Sequence, residues 1–182
     1  MDNSVTFMVN HQVMDKGIYL AKVDKFLGTA TITLDLRVRL PYVDEGMSCG
    51  EMHTCEHSFA TCVRDEAADD ASLKVLYFGP MGCATGFYLL LQFSEDLAEA
   101  EYFPRAHSLL KNACRRMEKM TFVPANNRYQ CGNYTTLCDI DIALSLSREI
   151  EAAVDDAERL GGFHQYNYLT ESSLAELLDS ES

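Results

Sequence analysis

Residues 31–40 constrain the fold more than any other stretch, because they alternate without a break. Ile32, Leu34, Leu36, Val38 and Leu40 fall on one face, and Thr31, Thr33, Asp35, Arg37 and Arg39 on the other. Successive side chains of a strand point to opposite faces, so this period of two predicts a half-buried antiparallel strand with one charged face. Apolar runs at Leu73 to Phe78 and Phe87 to Phe93 read as two further strands around a loop with three glycines, Gly79 to Gly86. Elsewhere the period changes to that of a helix. Ala106, Leu109, Leu110, Ala113, Met117 and Met120 follow Pro104, a residue suited to a first helical turn. Ile142, Leu146, Ile150, Ala153, Val154, Ala157 and Leu160 mark a second long helix, stopped by Gly161-Gly162. At 182 residues the chain is long enough for one domain with a sizeable core.

A third helix, about Glu51 to Glu66, carries the chemistry. Met52, Cys55, Phe59, Cys62 and Val63 form its core stripe, and His53, Glu56 and His57 lie beside it. Histidines four apart sit one turn apart on one face, where both imidazoles reach a single metal ion. A carboxylate beside that ion suits proton transfer next to a Lewis acid. Two imidazoles need at least one more protein ligand. Cys131, in Gln130-Cys131-Gly132, is the best-placed thiol because the following glycine allows a tight turn. Cys138 is its rival. The loop Pro80 to Gly86 presents Cys83 at its centre.

Fifteen basic residues against 28 acidic ones give a net charge of −13. That balance argues against nucleic acid or an anionic membrane as the main partner. The longest purely apolar run, Phe87 to Leu91, is too short to span a bilayer. The start of the chain has no basic stretch followed by an apolar run, so no signal peptide is expected and the cytoplasm is the expected compartment. Seven cysteines, an odd number, then read as thiols, core residues or metal ligands rather than disulfides. The basic groups Lys111, Arg115, Arg116 and Lys119 on one helix are expected to be salt-bridged.

Five short motifs in order resemble the S-ribosylhomocysteine lyase (LuxS) family over about Thr6 to Leu160. They are Phe7 to His11, Asp35-Leu36-Arg37, His53-Thr54-Cys55-Glu56-His57, the run Pro80 to Tyr88, and Gln130-Cys131-Gly132. The resemblance implies an α+β fold: an antiparallel sheet packed against helices in one compact domain, forming a homodimer with active sites at the interface. Residues 1–162 would form that domain and 163–182 a C-terminal extension, partly helical or frayed. It implies one divalent metal per subunit on His53, His57 and Cys131, natively Fe²⁺, with Zn²⁺ or Co²⁺ able to substitute. It implies Glu56 and Cys83 as acid/base groups, and Thr6, His11, Arg37, Tyr77 and Gly82 as substrate contacts. The N-terminal segment, with Thr6 and His11, would cross to the site of the other subunit. The implied reaction cleaves S-ribosylhomocysteine to homocysteine and 4,5-dihydroxy-2,3-pentanedione. Arg37 and the metal are the candidates for the positive field that a thiolate at Cys83 requires.

Three positions depart from the family pattern. Tyr77 stands where the family has an acidic residue, Gly79 where it has serine, and Asn10 where it has aspartate. Two other functions therefore compete. One is an impaired family member acting as a metal-stabilised binding module. The other is an HxxEH metalloprotease, although the region where a downstream glutamate ligand would stand offers Gln130-Cys131-Gly132.

Overall fold

In the computed structural model, which describes residues 5–180 apart from the side chains of Val5 and Thr6, four strands form one antiparallel sheet. They are β1 (Gly17–Phe26), β2 (Thr29–Arg37), β3 (Leu73–Pro80) and β4 (Gly86–Ser94), in the order β1-β2-β4-β3. Helices α1 (Cys49–Ala67), α2 (Tyr102–Met117) and α3 (Ile140–Leu160) pack on one another and on the sheet's inner face; α4 (Glu171–Ser180) follows. This is the single α+β unit the resemblance implied. Thr6 as a substrate contact concerns a side chain outside those described.

The inner face of β2 is as its alternation predicts: Ala30, Ile32, Leu34 and Leu36 are fully buried. Phe59 of α1 meets Phe78 of the sheet there, and Phe78 in turn stacks on Phe87. Removing a ring of that size from a close-packed core costs roughly 3–5 kcal/mol. Strand β1 has no counterpart among the predicted strands. A register shift between Leu20 and Lys22 breaks its alternation, so its apolar residues keep no period of two. Leu27 and Gly28, both at positive φ, turn it back into β2.

The outer face of β2 corrects the expectation of a charged, solvated surface. Asp35 and Arg37 are 1% and 3% exposed, and Arg37 Nη2 meets Asp35 Oδ2 at 2.6 Å. The residues after α3 cover them. His164 N donates to Ile18 O (2.8 Å), Asn10 N donates to Asn167 O (2.8 Å), and Leu169 N donates to Met8 O (2.6 Å). Tyr166 stacks on Tyr19 with ring centroids 4.7 Å apart, and joins Val9, Met14 and Tyr19 in a small second cluster. The C-terminal stretch is thus tied across the sheet before it becomes helical. A buried ion pair is held by geometry, and removing one partner costs roughly 3–5 kcal/mol because the other charge is left in low dielectric.

Helix α1 begins with a capping box. Glu51 N donates to Ser48 Oγ (3.2 Å), and Ser48 N donates to Glu51 Oε2 (2.7 Å). It buries Cys55, Phe59, Cys62 and Val63, which leaves His53, Glu56 and His57 half-buried beside that stripe. Two of the four basic groups on and near α2 are salt-bridged, Lys111 with Glu151 and Asp155 and Arg116 with Glu66; Arg115 instead donates to Asn112 Oδ1, and Lys119 has no ion pair among the described residues. Among the described residues no helix is long and apolar enough to cross a membrane.

Candidate active site

Two clusters hold most of the residues singled out by sequence; Tyr77 lies in neither. In the first, ligand atoms of His53, His57 and Cys131 lie within 4.8 Å of one another. Cys131 Sγ is 3.4 Å from His53 Nε2. A tetrahedral ion with bonds of about 2.0–2.3 Å spaces its ligand atoms roughly 3.3–3.8 Å apart, so little movement would close the group on a metal. The surroundings fit that use. His57 Nδ1 lies 2.9 Å from Pro124 O, a pure acceptor, so Nδ1 carries the proton and Nε2 keeps its lone pair. His53 Nδ1 lies 2.8 Å from Thr136 Oγ1, which already donates its own proton to Asn133 O (2.9 Å). His53 is therefore the donor there too, and both Nε2 atoms are free to ligate. Asn133 N donates to Cys131 Sγ at 3.4 Å. The Glu56 side chain makes no hydrogen bond or ion pair among the described residues and stands half-buried beside the group. Cys138 is placed elsewhere: its backbone N donates to Thr54 Oγ1 (2.8 Å) and its Sγ packs by Gly50.

Gly50 sets how close the ligand-bearing loop comes to α1. A Cβ there would lie 2.8 Å from Thr136 O and 3.0 Å from Cys138 Sγ. Gly50→Ala should keep the helix, for which alanine is the better former. It should push Thr136 off His53 and weaken metal binding roughly 10- to 100-fold. A chelator competition titration checks this, and an unchanged affinity would show that Thr136 does not orient His53.

The second cluster forms where β2 ends beside the loop between β3 and β4. Thr85 O accepts from Val38 N (3.2 Å) and Arg39 N (3.0 Å), and Ala84 O accepts from Met47 N (2.8 Å). A Cβ on Gly86 would lie 2.5 Å from Leu36 O, so this close approach requires glycine. The left-handed residue of the loop is Ala84, at φ 59°, rather than one of the glycines. Gly82 has open space around it.

The loop holds Cys83 exposed, with Thr85 Oγ1 3.1 Å and Arg37 Nη1 3.5 Å from its Sγ. Partial burial pushes the thiol up, but hydrogen bonds from Thr85 and the Arg37 guanidinium outweigh it and leave the pKa below that of an ordinary cysteine. Core thiols go the other way: burial pushes Cys62 up to about 11 and Cys114 up to about 12. His11, Arg37, Tyr42, Cys83 and Thr85 line one cavity of about 410 Å³. His11 Nδ1 lies 2.9 Å from Val9 O, so Nε2 is its free acceptor. His11 therefore stands with Cys83 of its own chain, where the resemblance implied that it crosses to that of a partner.

The family model for S-ribosylhomocysteinase (LuxS) matches residues 5–159. The chain belongs to the LuxS family. It is 36% identical over 134 residues to the S-ribosylhomocysteine lyase of Clostridium beijerinckii, covering 74% of this chain and 80% of that one. It is 32% identical over 156 residues to the enzyme of that name from Clostridium acetobutylicum, covering 86% and 94%. With that of Finegoldia magna it shares 32% over 152 residues, covering 81% and 86%.

The departures from the LuxS pattern have structural counterparts here. A Cβ on Gly79 would fall 2.0 Å from Tyr77 Oη, so the tyrosine lies in space that a side chain at position 79 would need. The two substitutions are one packing unit. Asn10 Oδ1 accepts from Gln12 N (3.1 Å) and caps the turn that carries His11. Among the described residues no hydrogen bond, ion pair or ring contact joins Cys83 to His53, Glu56, His57 or Cys131. Sequence reasoning missed Thr85, Thr136 and Asn133 as supporting groups. Thr85 stood inside the LuxS loop motif, whereas Thr136 and Asn133 carried no local signal.

Proposed function

We propose that this LuxS chain is a metal-dependent lyase that cleaves S-ribosylhomocysteine to homocysteine and 4,5-dihydroxy-2,3-pentanedione. The observation that carries the reading is Cys83, an exposed thiol held by Arg37 and Thr85 in a LuxS chain whose His53, His57 and Cys131 converge. Those three residues would hold a divalent ion, Fe²⁺ natively with Zn²⁺ or Co²⁺ as substitutes. When bound, the ion supplies Lewis acidity at the sugar's carbonyl and hydroxyl oxygens.

The chain's own groups move the protons. Cys83 as thiolate and Glu56 as carboxylate flank the carbon skeleton as bases. A proton taken from the carbon next to the carbonyl returns to the former carbonyl carbon, so the carbonyl shifts from C1 to C2 and then to C3. Removal of the C4 proton then expels homocysteine thiolate from C5. The C4–C5 enol takes a proton at C5 and becomes the second ketone of the product. Arg37, deep in the outer face of the sheet, keeps Cys83 ionised between these transfers. His11, with Thr6, Tyr77 and Gly82, holds the substrate.

The two clusters become one site in a homodimer. The His11/Arg37/Cys83 cavity of one subunit faces the metal group and Glu56 of the other. The enzyme acts in the cytoplasm, without nucleic acid or membrane. The metalloprotease reading loses its ground, since the third group beside the histidines is Cys131 and not a carboxylate. Tyr77 lying over Gly79 favours one other reading, an impaired relative that only binds. Anaerobic purification followed by a free-thiol assay with S-ribosylhomocysteine separates them. Metal-dependent release of one thiol per substrate is expected, and its absence from fully loaded protein would leave the binding module.

A further inference from the structure

We propose that Tyr166, in the C-terminal segment beyond the family match, is a positioning residue: by holding Asp35 it sets how Arg37 meets Thr85 and Cys83. For its meaning in catalysis this rests on the lyase reading.

A continuous line of hydrogen bonds makes the connection. Tyr166 Oη donates to Asp35 Oδ2 at 2.8 Å, and Arg37 Nη2 donates to the same oxygen at 2.6 Å. Arg37 Nη1 donates to Thr85 Oγ1 at 2.5 Å. Arginine has no acceptor, so that hydroxyl accepts from it and keeps its own proton for Cys83 Sγ, 3.1 Å away. Asp35 and Arg37 are almost wholly buried, so these bonds carry weight that water would otherwise screen. Asp35 Oδ1 and Arg37 Nε have no partner among the described residues, so the Asp35 carboxylate is held by two donors on one oxygen. Burial and the neighbouring Asp35 push the Tyr166 hydroxyl far up, which keeps it a donor throughout the working pH range.

The segment does not depend on that hydroxyl for its place. Backbone bonds at His164, Asn167 and Leu169 and the stack on Tyr19 hold it. Tyr166→Phe should therefore leave the cover in position and remove one donor only. The freed Asp35 oxygen then turns more of its charge on Arg37, and the positive field at Cys83 weakens. The other titratable groups around Cys83 are His11, Tyr42 and Asp44 in the cavity, Tyr88 on β4, and Tyr19 on β1 beside Asp35. None of them changes in the variant.

The test is the pH dependence of Cys83 alkylation by iodoacetamide in the metal-loaded full chain, read on the Cys83 peptide by mass spectrometry. Tyr166→Phe should raise the midpoint by about half a unit to one unit, part of what a nearby opposite charge supplies. Tyr166→Met is the second variant without the donor. Tyr168→Phe, on the same segment but half exposed, should match wild type. An unmoved midpoint in either folded Tyr166 variant overturns the proposal, as does an equal rise in Tyr168→Phe. If neither Tyr166 variant folds, the residue is structural and the proposal also falls. Failure of the lyase reading would appear separately, as no thiol release by wild type, with the alkylation comparison unaffected.

Discussion

Cys131→Ala, purified anaerobically, should retain less than about a tenth of the wild-type metal, whereas Cys138→Ala should carry a full complement. The prediction follows from three ligands and an open fourth position. Losing the thiolate removes one of three protein bonds and the negative charge that offsets the ion. His53 and His57 remain, but a pair of imidazoles four apart on a helix holds a divalent ion far more weakly. Cys138 presents no competing claim, since its sulfur packs by Gly50 and its backbone is bound to Thr54 Oγ1. Metal content measured by plasma mass spectrometry decides the matter. A Cys138→Ala protein without metal, beside a loaded Cys131→Ala, would reverse the assignment. Thiol release should fall with the metal, because the proposed proton transfers all occur next to an oxygen the ion polarises.

Mixing two dead variants should restore activity. Cys83→Ala and Glu56→Gln should each keep their metal and each lose turnover by about a hundredfold or more, the usual scale for a proton-transfer group. If one subunit supplies the Cys83 cavity and its partner the metal group, a mixed dimer collects both lesions in one site and neither in the other. Random exchange makes half the dimers mixed, each with one intact site, so the mixture should recover roughly a quarter of wild-type activity. Cys83→Ala mixed with His11→Ala should stay dead, because both residues line one cavity of one chain. A dead Cys83→Ala and Glu56→Gln mixture, with subunit exchange demonstrated by native mass spectrometry, would mean that each site is built within a single subunit.

Sequence by itself determined what local spacing can carry. The period of two in β2 placed Ile32, Leu34 and Leu36 in the core, and the period of the helix placed Cys55, Phe59, Cys62 and Val63 there. His53 and His57 had to share a face of one helix, whatever the rest of the chain did. The order of five short motifs carried the family, which the match over residues 5–159 bears out. Strand β1 escaped because its register shift erases the alternation by which a strand is recognised.

Only the tertiary structure decided which thiol completes the histidine pair. Cys131 and Cys138 are seven apart in similar polar loops, and the packing of Thr136 and Cys138 against Gly50 leaves Cys131 as the thiol beside the histidines. Only the tertiary structure decided that Asp35 and Arg37 are buried. Their alternation with apolar neighbours says which face of the sheet they occupy and nothing of what covers it. The cover arrives from Tyr166, 131 residues away. It converts a pair that would be solvated into one in low dielectric, where its charges act at full strength on Cys83.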